Sequence, residues 1–212
     1  MDETLTSGLE KMSIDLSAEI IAKEERFIDE MMRWNERISL TSIRDRGEAL
    51  EKHLLDSLVL LKYLPPQGRL LDMGSGAGLP GIPLAIANPR LQVVSVDSVG
   101  KKINFQTHVR RLLKLENLEP IHARLEDVAD KKFELVTARA LSNFSSLVTW
   151  AAPLQNEGGV LLLMKGPESS AEFQEYLAGE NANRYGIRDI VAYQLPFSGS
   201  KREIFILIRS SY

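Results

Sequence analysis

Residues 70–81, Leu-Leu-Asp-Met-Gly-Ser-Gly-Ala-Gly-Leu-Pro-Gly, carry a short apolar strand straight into a glycine loop that opens a helix. Gly74, Gly76 and Gly78 permit a tight turn with positive φ and let a ligand lie against bare backbone at a helix N-terminus. In an open sheet, such a turn sits in the crevice beyond the carboxyl ends of the strands.

The surrounding pattern extends this element into a fold. Apolar runs at 69–73, 91–96, 120–122, 133–137 and 160–164 alternate with helix-like segments near 80–87, 101–114, 143–154 and 168–183. That rhythm predicts βαβ units and a parallel sheet covered on both faces. Two further runs, 190–195 and 204–208, flank a short Gly-containing link and predict an antiparallel hairpin at the sheet's edge. Upstream, residues 16–34 form an amphipathic pattern capped by Ser17, with Ile20, Ile21, Phe27, Ile28 and Met31 on one face. A second helix starts at Asp45, with Glu48 as its capping partner, and follows Leu50, Leu54, Leu58 and Leu61 to Pro65-Pro66. The expected architecture is α/β and Rossmann-like: a mostly parallel seven-stranded sheet with a C-terminal antiparallel hairpin. Residues 1–65 form an N-terminal helical extension packed on the domain of 66–212. Trp34, Met31 and Met32 are read as core.

Composition removes several chemistries. There is no cysteine, so no thiolate nucleophile and no Cys-ligated zinc. Three scattered histidines give no metal-ligand spacing, and no metal is expected. The longest apolar run, Val160–Met164, has a strand's length and falls far short of the roughly 20 residues a membrane span needs. The start, Met1-Asp-Glu-Thr-Leu, lacks the basic and apolar regions of a secretory signal, so a cytoplasmic setting without membrane is expected. The net charge of −3 is uneven: residues 1–30 hold nine acids and three bases, the remainder 20 acids and 23 bases. Nucleic acid is therefore an allowed partner, although not through indiscriminate polyanion binding.

Asp72 narrows the ligand. A carboxylate just before the glycines repels a pyrophosphate but attracts the ammonium and sulfonium of S-adenosylmethionine. No Gly-Lys-Ser/Thr follows, which disfavours a nucleoside triphosphate. The alternative is that Asp72 only caps the loop. Asp97, at the end of the second strand, suits ribose hydroxyls. After the third strand, Leu125 is a candidate to pack on an adenine ring, with Glu126 or Asp127 accepting from its amino group; equally, these acids cap the next helix.

Substrate sits at the tips of strands four and five in class I methyltransferases, and here these tips carry Arg139 and Lys165. Neither an Asn/Asp-Pro-Pro-aromatic loop nor a covalent cysteine is present, which argues against exocyclic-amine and pyrimidine-C5 methylation. Guanine N7 bears a lone pair and no proton, so it needs alignment rather than a base. His53, Asp56 and Ser57 share one helix face but cannot easily build a hydrolytic triad, because Ser and Asp must approach opposite imidazole nitrogens. Among the basic clusters, Arg44/Arg46 and Lys101/Lys102 are the candidates for an RNA footprint.

From about Trp34 to the final hairpin, the chain resembles the RsmG (GidB) family, bacterial guanine-N7 methyltransferases of small-subunit ribosomal RNA. The shared features are Trp34-Asn35 with Leu40-Thr41, His53 followed by Asp56-Ser57, the loop from Leu71 through Gly81-Ile-Pro, Asp97-Ser98 with Lys101-Lys102, Ala138-Arg139-Ala140 and Lys165-Gly166. The resemblance implies cofactor contacts at Gly74, Leu79, Leu125-Glu126 and Arg139. It leaves His53, Arg124 and Lys165 as candidates for the RNA-facing side. It further implies S-adenosylmethionine as cofactor and 16S ribosomal RNA or the 30S subunit as partner; a monomer is the expected state, although nothing in the sequence fixes it. Three rivals remain at this level: a nicotinamide-dependent oxidoreductase, a non-catalytic adenosylmethionine sensor or assembly binder, and a small-molecule methyltransferase.

Overall fold

A computed structural model describes residues 2–128, 131–167 and 169–211. Helix α1 (Glu3–Lys11) is capped by Asp2, whose side chain accepts the Thr4 and Leu5 amides. Its Leu5 and Leu9, one turn apart, face inward. Sequence reading had not anticipated this helix. Helix α2 (Ala18–Asn35) starts at the predicted Ser17 cap. The next helical stretch covers residues 46–62 and changes winding along its length. It is α-helical at α3 (Arg46–Ala49), π-helical at Leu50–Leu55, α-helical at α4 (Asp56–Leu58) and 3-10 at Val59–Lys62. Asp45 caps its start by accepting the Glu48 amide.

From residue 68 onward, strands and helices alternate: β1 (Gly68–Met73), α5 (Gly81–Ala87), β2 (Leu91–Asp97), α6 (Gly100–Leu113), β3 (Leu118–His122), β4 (Phe133–Arg139), α7 (Phe144–Ala151) and β5 (Gln155–Lys165). Helix α8 (Ser169–Leu177) and the hairpin β6 (Tyr185–Gln194) and β7 (Lys201–Arg209) complete the chain. Position 168, where the expected helix was to begin, lies outside the described residues. The sheet order is β3-β2-β1-β4-β5-β7-β6, with β1 to β5 parallel and β7 antiparallel between β5 and β6. The last strand is therefore interior and β6 forms the edge.

Alternation along each strand divides the core. Leu70, Val93, Leu135 and Leu162 point to one face, covered by α1, α2, the 46–62 stretch and α5. Leu71, Val94, Val136 and Leu161 point to the other, beneath α7 and α8. The N-terminal helices thus bury their apolar stripes in the sheet's own core: Phe27, Ile28, Met31, Leu54 and Leu58 are fully enclosed there. Strand order reverses beside β1, whose neighbours are β2 and β4, and the crevice opens at that switch point.

Candidate functional site

Two cavities flank the carboxyl end of β4 and share the segment 139–141 as a wall. Ala140 adopts φ +50, a left-handed conformation that costs a non-glycine residue about 1–2 kcal/mol. Around this kink, Ala140 lines one cavity and Leu141 the other.

The larger cavity, about 760 Å³, lies over the glycine loop between the tips of β1, β2 and β3. Gly74, Asp97, Val99, Leu125 and Glu126 line it, and Leu141 and Trp150 close the far side. Asp97 organises the near side. Its Oδ2 accepts the Gly76 amide and its Oδ1 the Val99 amide, each at 2.8 Å, so one carboxylate joins the loop to the start of α6. Gln106, buried on α6, donates to Ser75 Oγ and to the Gly76 carbonyl and holds the loop from below. Gly74 takes φ +62, a left-handed conformation that glycine adopts without strain, and a Cβ there would stand 2.3 Å from Leu141 Cδ1 and displace that side chain.

The smaller cavity, about 360 Å³, lies between the tips of β4 and β5 and the π-helical segment; its polar lining is Lys52, His53, Asp56, Arg139, Lys165 and Arg202. The π winding has a local consequence. The Asp56 amide bonds back five residues to Glu51 O and leaves the Lys52 carbonyl that an α-helix would give it. Arg139 Nη1 donates to that carbonyl at 3.0 Å and to Asp56 Oδ2 at 3.3 Å, while Nη2 donates to His53 Nδ1 at 3.2 Å. Because an arginine only donates, Nδ1 is an acceptor and the proton sits on Nε2, which donates to Thr41 Oγ1 at 2.7 Å. Burial, then the adjacent guanidinium, pushes the His53 pKa down to about 4. Asp56 also accepts from Tyr193 Oη at 2.8 Å and faces Arg202 at 3.6 Å. Ser57 donates to the His53 carbonyl instead of entering any triad.

The structure divides the residues expected to act together. Gly74, Asp97, Leu125, Glu126 and Arg124 meet at the larger cavity; His53, Arg139 and Lys165 meet at the smaller. Five expected cofactor contacts line no part of the larger one. Asp72 is fully buried on the sheet face beneath α5, its Oδ2 accepting the Gly81 amide at 2.9 Å. That placement matches the loop-capping alternative, and burial raises the Asp72 pKa to about 7. Gly76 and Gly78 turn their amides inward, to Asp97 and to the Ser75 carbonyl, and Leu79 is packed into the core. Arg139, implied by resemblance to touch cofactor, is instead drawn to the helix of 46–62 by its three acceptors. Lys165 is not a free cation: its Nζ donates to Ser142 O and Glu172 and lies over the Phe144 ring.

The anticipated footprint residue Arg46 is paired with Asp2 and Asp29, and Arg44 donates to the Asn35 carbonyl at the end of α2. Thr41, Tyr193 and Arg202 were not singled out as site residues. Tyr193 and Arg202 meet because they are register partners across β6 and β7, a relation that sequence leaves undetermined until the turn is known. No helix among the described residues is long and apolar enough to cross a membrane, and no group of three or more acidic or histidine side chains there could hold a metal ion.

A mostly parallel seven-stranded sheet of this order, with a glycine loop after β1 and a carboxylate at the tip of β2, defines a class I S-adenosylmethionine-dependent methyltransferase. Solved structures share the fold. The Methanococcus jannaschii fibrillarin pre-rRNA processing protein matches with TM-score 0.57 and 18% identity over 70% of each chain. The ribosomal protein L11 methylase of Lactobacillus delbrueckii subsp. bulgaricus matches with TM-score 0.58 and 16% identity, over 74% of this chain and 78% of that one. The chain belongs to the GidB family, rRNA small subunit methyltransferase G, whose model matches residues 20–204. It is 44% identical to ribosomal RNA small subunit methyltransferase G of Syntrophotalea carbinolica, across 99% of this chain and 98% of that protein. The protein of the same name from Geobacter metallireducens is 36% identical, across 99% and 96%.

Proposed function

We propose that this chain transfers the methyl group of S-adenosylmethionine to N7 of a guanine in 16S ribosomal RNA. The observation that carries this reading is a chemical contrast: an acid-bordered nucleoside cavity shares a wall with a cation-lined cavity that holds no free base.

The larger cavity fits the cofactor. Asp97 uses two of its four acceptor positions on Gly76 and Val99, which leaves capacity for ribose hydroxyls. Val99 and Leu125 offer apolar surface to an adenine. Asp97, Glu126 and Asp127 outnumber Lys102 and Arg124 around it, a balance that suits a cationic sulfonium and ammonium better than a pyrophosphate. Bound there, S-adenosylmethionine supplies an electrophilic methyl group on sulfur.

In the smaller cavity, Lys52, Arg139 and Arg202 surround a single acid, Asp56. Asp56 is engaged by Arg139, Tyr193 and Arg202, and neutral His53 has both nitrogens bonded. An amine or hydroxyl acceptor would need a base to take its proton. Guanine N7 needs none. Arg139 and Arg202 suit guanine O6 and the phosphate backbone, and Lys165 acts as a positioning residue that holds the 142–144 turn through Ser142. Catalysis then consists of holding N7 in line while excluding water. The reading carries with it a monomeric cytoplasmic enzyme acting on small-subunit particles.

Mass spectrometry of 16S rRNA nucleosides from cells with and without this protein tests it. Loss of one 7-methylguanosine from a single RNA fragment is expected; an unchanged nucleoside profile would end the proposal.

A further inference from the structure

A third concavity, about 180 Å³, lies at the C-terminal end of α2, lined by Arg33, Trp34, Arg37 and Ile38, and shares no lining residue with either cavity. Trp34 is half-buried. Its ring packs on Phe105 and His108 of α6 at centroid distances of 5.5 and 5.0 Å, and its remaining surface floors the groove. No acid lines the groove. Glu30, one turn back on α2, is shared by Arg26, Arg33 and His108; with exposed Glu36 counted, Arg26, Arg33 and Arg37 exceed these two acids by one charge. Arg37 is exposed and, among the described residues, makes no side-chain hydrogen bond or ion pair. Lys101 and Arg111 add positive charge on α6, on the helical face that also carries Asn104 and the His108 that packs on Trp34.

We infer that this groove is a second RNA-docking surface, which holds one nucleotide of the substrate rRNA with its base against the Trp34 indole and a phosphate on Arg37. Three features favour this occupant. An indole beside unpaired guanidinium offers both base stacking and phosphate pairing, a combination used for single-stranded nucleic acid. The groove's charge is complementary to a polyanion. It is also mechanically joined to the smaller cavity. Asn35, the residue after Trp34, accepts the Leu40 and Thr41 amides on Oδ1 and donates to Ile43 O, and Thr41 in turn accepts from His53. RNA seated on Trp34 would therefore lie one short, clamped loop away from the methyl acceptor.

The inference rests on the ribosomal RNA reading, and the experiment separates the two. Binding of the intact protein to unmethylated 16S rRNA and to unmethylated small subunits is measured against salt for wild type, Arg37→Ala and Arg37→Glu, with adenosylhomocysteine affinity and melting temperature recorded alongside. Arg37→Ala is expected to weaken RNA binding about five- to tenfold and to reduce the slope of log K against log salt by about 1, with ligand affinity unchanged. Arg37→Glu should weaken it further. Trp34→Phe, which keeps an aromatic ring on Phe105, should weaken binding without altering the salt slope. If wild type binds 16S rRNA and both Arg37 variants match it in affinity and slope, the groove is not an RNA surface and the inference falls alone. If the variants lose binding only to assembled small subunits and not to naked RNA, the groove meets a ribosomal protein and the inference is again overturned. If wild type binds neither naked 16S rRNA nor unmethylated small subunits, the parent reading fails with it.

Discussion

Arg139 donates Nη2 to the Nδ1 of His53 at 3.2 Å, and this one bond fixes the imidazole as the neutral Nε2–H tautomer across 86 residues of sequence. The ring is buried, and its pKa falls from 6.5 to about 4. Native protein therefore stays unprotonated here while the unfolded chain takes up a proton below about 6.5. The stability that follows is intact above 6.5 and is lost as pH falls through the interval to 4. By pH 5 the loss amounts to about 2 kcal/mol. His53→Gln removes this component, so its unfolding free energy should decline less than that of wild type between pH 7 and pH 5 in urea titrations. Equal declines would mean that the ring is protonated in the native state.

Arg139 has three acceptors on the 46–62 stretch and does not line the larger cavity. A lysine at this position, a point charge without the planar fork, cannot serve all three at once. Arg139→Lys is expected to reduce single-turnover methylation by tenfold or more while adenosylhomocysteine affinity, measured by calorimetry, stays within about threefold. A parallel collapse of ligand affinity would place the guanidinium on the cofactor.

Asp72 and Asp97 make an informative pair because they sit near neighbouring strand ends, one fully buried and the other lining the larger cavity. Asp72, buried under Gly81 and shifted to about 7, is most stabilising in its protonated form. Its contribution is complete below the unfolded value near 3.8 and disappears as pH rises to 7 and beyond. Asp72→Asn keeps an oxygen for the Gly81 amide and does not ionise. Relative to wild type it should therefore gain about 2–3 kcal/mol between pH 5 and pH 8, with ligand affinity nearly unchanged. Asp97→Asn should instead lose tenfold or more in adenosylhomocysteine affinity, since charge-assisted hydrogen bonds are worth about 1.5–3 kcal/mol each. Reversal of the two phenotypes would restore Asp72 to the cofactor site.

Much of the frame was legible in sequence. The five parallel strands and the Ser17 and Asp45 caps follow from apolar runs and capping chemistry that act within a few residues. The orientation of Asp72 was also readable: two residues after Leu70, it must share that side chain's buried face. Helix α1 carried a signal too, Leu5 and Leu9 one turn apart behind an Asp2 cap. Other features had no local trace. Leu50-Glu-Lys-His-Leu-Leu has an ordinary helical pattern, and its π winding arises where Arg139, from a distant strand, takes up the released Lys52 carbonyl. Lys165 looked like a free rim cation because Glu172, which neutralises it, is supplied by the following helix across an unpredicted turn.

Thr41 offers a sharp test of how the smaller cavity is held. Its hydroxyl oxygen accepts both the His53 Nε2–H and the Ile43 amide, so it joins the loop after α2 to the imidazole that Arg139 touches from the other side. Valine has the same shape and no acceptor. Thr41→Val leaves a mostly buried Nε2–H unpaired, at a cost of about 1–3 kcal/mol, and frees the ring to rotate away from Arg139. The expected result is a several-fold fall in kcat, with KM for RNA and affinity for adenosylhomocysteine within about twofold, and recovery in Thr41→Ser. A merely structural hydroxyl would lower the melting temperature of the valine variant without that split between kcat and KM. In that case Arg139 alone would orient the imidazole, and the loop following α2 would have no part in aligning the acceptor.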